Sequence, residues 1–238
     1  MKYIKTIVLR VVMIICAFIS AYLLLTSLIS LKINDTHAMG RAVIDRVVED
    51  SDNPNLKAGI QFLETSGLEE TLLKQLPKKY QIDMSYADLY RLCEKYDKQG
   101  KLTVNDLNLS SKSKLEEIIN EYLVKQVNNK LKERAADVDH AITIYKYSIF
   151  IVILLFLLAI ILIALGRSSA AVPLVLASLG SFVALWYAAN EMMTTLQTQI
   201  YSGIVVTLSQ GIWAGLAIGV LAVIIWPILL KLTKGIKQ

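Results

Sequence analysis

The sequence predicts an all-α membrane protein with four transmembrane helices and a helical extracytoplasmic domain inserted between the first helix and the second. Two observations lead to this prediction. Nineteen of the twenty acidic residues and eighteen of the twenty-five basic residues lie between Lys32 and Lys146. Outside that segment the chain is almost continuously apolar, in four stretches that are each long enough to cross a bilayer, which takes about 20 helical residues.

The four predicted spans follow from these apolar stretches. The first is residues 11–31, whose length of about 31 Å matches one hydrocarbon thickness. The other three are residues 147–165, 170–189 and 204–230. Because the first stretch is longer than the apolar region of a signal peptide and no small-residue cleavage site follows it promptly, we expect an uncleaved anchor.

Charged residues in the short segments predict the orientation. The basic residues outside the polar segment are Lys2, Lys5, Arg10, Arg167, Lys231, Lys234 and Lys237, and only Glu191 opposes them. Cytoplasmic segments carry the excess of Lys and Arg. We therefore expect both termini in the cytoplasm, residues 32–146 outside, and a multi-pass protein of the plasma membrane. The net charge of +5 comes from the chain's cytoplasmic ends, so it indicates topology and not a nucleic-acid partner.

Three units follow from this organisation. Residues 1–31 form the cytoplasmic N-terminus and the first span, residues 32–146 the extracytoplasmic domain, and residues 147–238 the other spans with a short cytoplasmic C-terminus. Apolar periodicity predicts helices throughout the extracytoplasmic domain. One of them should begin at a capping box formed by Ser85 and Asp88 and end at Gly100. With a single cysteine, Cys93, this domain cannot form an internal disulfide.

The segment before the second span predicts a long rod. Residues 101–165 contain no Gly or Pro, and apolar residues recur every three or four positions from about residue 115 to residue 149. We therefore expect the second transmembrane helix to extend outward as one continuous helix over residues 113–165, about 80 Å long. The apolar ladder could pack on the other extracytoplasmic helices, or serve as a lever or an intermolecular coiled coil.

Two stripes of small residues predict close helix packing. Gly211, Gly215 and Gly219 stand at every fourth position of the fourth span, and Gly180, Ala184 and Ala188 have the same spacing in the third. Small side chains at this spacing form a flat face that another helix can approach closely. We expect the third and fourth spans to pack on each other through these faces, and the spacing leaves open whether an oligomer interface also uses them.

Polar residues of the predicted fourth span suggest an alternative role. Thr207, Ser209 and Gln210 could line a pore, could hydrogen-bond a neighbouring helix, or could lie near the membrane interface. No ionisable residue lies well inside any predicted span. Proton- or ion-coupled transport usually needs one, so a secondary transporter is not expected.

The sequence contains no recognisable catalytic motif. Its two histidines, His37 and His140, belong to no HExxH pattern, and no CxxC, GxSxG or P-loop occurs. Residues 97–107 resemble a calcium loop with Gly100 at its sixth position, but the first position is then Lys95 and the closing Glu is missing. We therefore predict no catalytic residue, no metal ligand and no cofactor, and the protein is not expected to be an enzyme.

These observations favour a non-enzymatic bacterial envelope protein, and the Lys-, Ile- and Asn-rich composition suits the Gram-positive kind. Its extracytoplasmic domain would bind a partner protein, peptide or envelope component, while the helical bundle anchors and assembles it as an accessory, receptor or scaffold subunit. Expected partners are the lipid bilayer, further copies of the chain or another membrane protein, and an extracellular ligand. The alternative is a homo-oligomeric channel or transport subunit lined by the fourth transmembrane helix.

Overall fold

A computed structural model describes residues 2–49, 58, 65–66, 73–74, 76, 79–107, 109, 111, 114–133, 135–199 and 201–234. The structure is mostly helical (78%). Four helices are long and apolar enough to cross a membrane, namely Thr6–Thr26, Val138–Ala164, Ser168–Thr198 and Gln210–Lys231. The prediction of a mostly helical protein with four such helices is therefore confirmed.

The described elements follow one another from the N-terminus to the C-terminus. They are α1 (Lys2–Thr26), β1 (Leu28–Ile33), α2 (Thr36–Glu49), β2 (Tyr80–Ser85), α3 (Tyr86–Gln99), α4 (Lys114–Glu133), α5 (Ala135–Ala164), a short 3-10 helix (Ser168–Ala170), α6 (Ala171–Gln199), β3 (Ile204–Leu208) and α7 (Gln210–Lys234). We call α1, α5, α6 and α7 the bundle. We call the three strands with α2, α3, α4 and residues 100–111 the head.

A three-stranded antiparallel sheet corrects the all-α prediction. Its order is β2–β1–β3, and Leu31 at its centre lies opposite Ile82 on one side and Val206 on the other. Along β1, Ile29, Leu31 and Ile33 are buried while the residues between them are more exposed. This two-residue period is typical of a strand. The sequence did not predict this strand, because β1 occupies only six residues at the end of a longer apolar stretch.

The helices differ in their limits from three predicted spans, in two of them because of the strands. The first helix ends at Thr26 rather than at residue 31, because the last apolar residues of that stretch form β1. The fourth begins at Gln210 rather than at residue 204, because β3 takes up the start of that stretch. The third continues to Gln199, ten residues beyond the predicted end at residue 189.

The predicted capping box of α3 is confirmed. The Ser85 hydroxyl accepts a hydrogen bond from the Asp88 backbone N–H, and the Asp88 carboxylate accepts one from the Ser85 N–H. At the other end, Gly100 is left-handed with φ 65° and its N–H donates to the Tyr96 carbonyl. The sequence signals for this helix act locally, so they do not depend on what the helix packs against.

The predicted rod over residues 113–165 falls on two described helices, α4 and α5. Residue 134 between them and residue 113 lie outside the described residues. The helical character of both halves is therefore observed, and their continuity stays a prediction.

Two contacts tie together the bundle end that is remote from the sheet. Arg10 Nη1 donates to the Ala164 carbonyl at 2.9 Å, at the C-terminal end of α5. The helix dipole favours a cationic group at this end. Trp226 is fully buried and its indole N–H donates to the Arg167 carbonyl at 2.8 Å. Gly166 ends the turn after α5 with φ +69°, and the Arg10 guanidinium occupies the space that a Cβ would need there. The predicted cytoplasmic charges Arg10 and Arg167 thus lie at one end of the bundle.

Candidate functional site

The head has an open groove of about 440 Å³ between α4 and the segment that follows α3. One wall consists of α4 residues from Glu121 to Lys132, and the other of Lys101, Thr103 and Val104. Val124 is buried and forms an apolar part of the lining. The groove has the size of small-ligand sites in proteins, which range from about 300 to 1,000 Å³.

An amide side chain fixes the second wall to α4. Asn128 Nδ2 donates to the Leu102 carbonyl, and the Leu102 N–H donates to Asn128 Oδ1, each at 2.8 Å. The two bonds reproduce the pairing that a neighbouring strand would offer to the Leu102 backbone. Since Leu102 is itself buried, this segment is held to α4 by packing as well as by hydrogen bonds.

Asp106 fixes the same segment to α3. Its carboxylate forms an ion pair with Lys95 and accepts hydrogen bonds from the Thr103 N–H at 2.9 Å and the Thr103 hydroxyl at 2.7 Å. These bonds lower the pKa of Asp106 below its ordinary value, and the bond from Lys95 contributes most. The groove is therefore built on a segment with anchors on two helices.

The same ion pairs bear on the calcium-loop resemblance. Asp106 is engaged by Lys95 and Thr103, and Asp97 pairs with Lys146 Nζ at 2.6 Å. Both acids of the resemblance are therefore engaged by other side chains, Asp106 by residues of the same segment and Asp97 by α5. Within the described part of the chain, no group of three or more His, Cys, Asp or Glu is placed to hold a metal ion.

The charge of the groove is mainly positive. Lys101, Lys125 and Lys132 line it and are exposed, and Glu121 is the one acid among its lining residues. No ion pair is formed by these three lysines with any residue that the structure describes. The ammonium groups are thus available to a ligand.

The head meets the bundle at Tyr86, the first residue of α3. Its side chain is 1% exposed, its hydroxyl lies 2.8 Å from Ser148 Oγ, and its ring stacks on Tyr145 with centroids 4.8 Å apart. The Tyr145 hydroxyl in turn donates to the Tyr86 carbonyl at 2.9 Å. Burial raises the pKa of Tyr86, so its hydroxyl remains a hydrogen-bonding group at neutral pH. Cys93 on the same helix is also partly buried, and burial raises the pKa of its thiol.

The predicted glycine stripe of the fourth span lies in tight helix contacts. A Cβ on Gly211 would collide with Ser27, and one on Gly215 would lie 3.0 Å from Leu23 Cβ. A Cβ on Gly219 would lie 2.7 Å from Ser178 Cβ. Gly215 therefore packs on α1 and Gly211 on Ser27 just after it, while Gly219 lies between α1 and α6.

The predicted stripe of the third span is not the face that α7 contacts. Gly180 and Ala184 are exposed and Ala188 is partly exposed, and a Cβ on Gly180 would meet no atom within 4 Å. The buried residues of α6 include Ser178, Ser181 and Leu185 instead. The third and fourth spans do pack on each other, as at Gly219 and Ser178, but α6 uses a face next to the predicted stripe, so the expectation that the two stripes meet is corrected.

Two of the three predicted pore residues lie outside the fourth membrane-length helix, and the third is its first residue. Thr207 belongs to β3 and its hydroxyl is 3.4 Å from the Ser30 carbonyl. Ser209 precedes α7, and its buried hydroxyl has no hydrogen-bond partner among the described residues; Gln210 is the exposed first residue of that helix. A polar face of the fourth transmembrane helix is therefore not formed by these residues, because the predicted span began too early.

The groove was missed by sequence reasoning, which treated residues 113–165 as a rod. The adjacent amides Asn128 and Asn129 were the available signal, since asparagine is a poor helix former and its side chain readily bonds backbone groups. In the structure Asn128 makes such bonds with Leu102, 26 residues away. Because the bonded residues are so far apart in the sequence, the sequence alone does not show which backbone group the Asn128 side chain would bond.

Comparisons of the chain with protein families, with curated proteins and with solved structures found no match.

Proposed function

We propose that this is a non-enzymatic bacterial envelope protein whose head binds a partner protein outside the cytoplasmic membrane. The bundle anchors and assembles it, as a receptor, scaffold or accessory subunit. The observation that supports this proposal most is the open, positively charged groove, whose walls are anchored by Asn128 and Asp106. In this proposal both termini are cytoplasmic, so that the head and its groove are extracytoplasmic.

The connections between head and bundle also support it. β1 follows α1 after Ser27, β2 continues directly into α3, and β3 leads into α7 after Ser209. Short connections leave little freedom for the sheet to move independently of α1 and α7. A partner on the head would therefore be held in a defined position relative to the bundle, as a scaffold or receptor requires.

Site-specific cross-linking tests the proposal. A photo-reactive residue replaces exposed Asn129 in the groove of the full chain, and in a matched variant it replaces Leu158, which is 45% exposed on the bundle surface. Cells are irradiated, and the products are purified in mild detergent, weighed and identified. We expect one partner protein to be cross-linked stoichiometrically at position 129, and the same protein not to be cross-linked at position 158. Products that contain only copies of this chain, or no protein at position 129, would contradict a partner-binding head.

A further inference from the structure

We propose, on the basis of the proposed function, that the groove binds an extended acidic peptide segment of the partner protein. Its carboxylates would face Lys125 and Lys132. The first argument is charge complementarity. Three exposed lysines and one acid line the groove, and no residue in the described ranges forms an ion pair with these lysines. Charge-assisted bonds to carboxylates would engage them.

The spacing of the lysines favours an extended segment. Lys125 and Lys132 are seven residues apart on α4, so they lie on one face, about 10.5 Å apart along the helix axis. An extended peptide in the polyproline II conformation has three residues per turn and rises about 3.1 Å per residue, so its side chains three positions apart lie on one face. Acidic residues three positions apart would therefore match the two lysines, and the residues between them would lie over the groove.

The other lining residues favour a peptide over a polyanion. Glu121 lies one turn before Lys125 and would repel an uninterrupted row of phosphates. Val104 and buried Val124 offer apolar contact to a side chain between the two acids. Asn129, exposed in the lining, offers an amide that can hydrogen-bond to its backbone. A peptide of mixed polarity uses all of these groups.

The groove is also formed before any ligand arrives. The Asn128 bonds to Leu102 and the Asp106 bonds to Thr103 hold the wall in place. Less ordering is then needed on binding, which favours affinity for a short segment.

Fluorescence anisotropy with the full chain in detergent tests the proposal. The probe is a labelled peptide, Gly-Glu-Val-Ala-Glu-Gly, and the control is the same peptide with Gln in place of both Glu residues. We expect binding of the first alone, weakening as salt rises from about 0.05 M to about 0.5 M. The double variant Lys125→Gln with Lys132→Gln should weaken it about tenfold, as expected for the loss of two ion pairs.

Two controls make the result specific. Lys98→Gln removes an exposed lysine that pairs with Glu94 and does not line the groove. It should leave the affinity for the peptide unchanged, and it serves as the control for the single variant Lys125→Gln. Poly(glycerol phosphate) of equal charge serves as the competing class. No binding of the acidic peptide, equal binding by the double variant, or tighter binding of the phosphate polymer would each overturn the proposal.

The failure of this inference can be distinguished from failure of the proposed function. If the Asn129 cross-link still captures a partner in the double variant and the peptide does not bind, the acidic-peptide inference is wrong and the partner-binding function stands. If no partner is captured from the wild-type groove, the function itself is wrong.

Discussion

Two stripes of small residues with the same spacing have opposite environments in this protein. Gly211, Gly215 and Gly219 lie in contacts too tight for an added Cβ to fit without displacing a neighbour. Gly180 and Ala184 face outward from the bundle. Small residues at every fourth position show that close approach is possible on that face. They do not show which helix, if any, makes the approach.

The sheet explains the difference. α1 leads into β1, β3 leads into α7, and the two strands are neighbours, with the Ser209 N–H donating to the Leu28 carbonyl at 3.0 Å. This pairing brings the C-terminal end of α1 and the N-terminal end of α7 together. The glycine face of α7 then meets α1, and at Gly219 it also meets Ser178 of α6.

The largest expected effect distinguishes the two stripes directly. In Gly219→Leu the new side chain must enter a space where Ser178 Cβ would be 2.7 Å and Ser20 Oγ 2.8 Å from its Cβ. Overpacking of this kind costs about 1–3 kcal/mol and sometimes more, and we expect about 3 kcal/mol or no folded protein. Gly180→Leu, with no atom in the way, should unfold within about 1 kcal/mol of wild type. Unfolding midpoints in detergent measure both, and equal losses would contradict the contrast.

The second effect separates the head from the bundle by its pH dependence. Ser85→Ala removes the cap of α3 and should cost about 1 kcal/mol. Hydrogen bonds from the Ser85 hydroxyl and N–H lower the pKa of Asp88, so their stabilisation is present above the ordinary Asp pKa of about 3.9 and is lost as pH falls below it.

The difference between wild type and Ser85→Ala should therefore shrink in acid, when unfolding is followed at several pH values. The Gly219→Leu difference should stay constant over the same range, because the atoms around Gly219 carry no ionisable group. A cap contribution that does not change with pH would argue against a charged Asp88 in the capping box.

A smaller effect concerns the hydroxyl groups beside the glycine stripe. Ser20 Oγ donates to the Gly215 carbonyl at 2.7 Å and thus bonds α1 to α7. Interhelical bonds in membranes contribute about 0.6 kcal/mol on average, which is the loss expected for Ser20→Ala. Ser178 donates within its own helix, to the Leu174 carbonyl, so Ser178→Ala should cost less. Chemical unfolding of both variants measures the difference, and a greater loss for Ser178→Ala would refute the assignment.

The smallest expected effect is on assembly. If the exposed stripe on α6 faces lipid, Ala184→Leu will leave the mass of the native particle in mild detergent unchanged. A loss of mass, with the unfolding midpoint preserved, would instead show that this stripe packs between copies of the chain. The two stripes would then both be helix contacts, one within the chain and one between chains.

Local sequence signals predicted their structures well. The capping box of Ser85 and Asp88, the left-handed Gly100 and the four long apolar helices all depend on neighbours in the sequence or on the length of an apolar run. The strands were missed because β1 and β3 are five or six residues long and adjoin apolar helices. Thr207, Ser209 and Gln210 were consequently placed inside a helix that begins only at Gln210.

The sequence by itself determined the number of membrane-length helices, the basic end of the bundle and the capacity of two helices for close packing. The tertiary structure alone decided which of the two small-residue faces is buried, and that Asn128 bonds to Leu102 and so holds one wall of the groove. The physical reason is the range of the interactions. Caps and apolar runs act over a few residues, whereas the pairing of Ile29 with Leu208 joins residues at opposite ends of the chain.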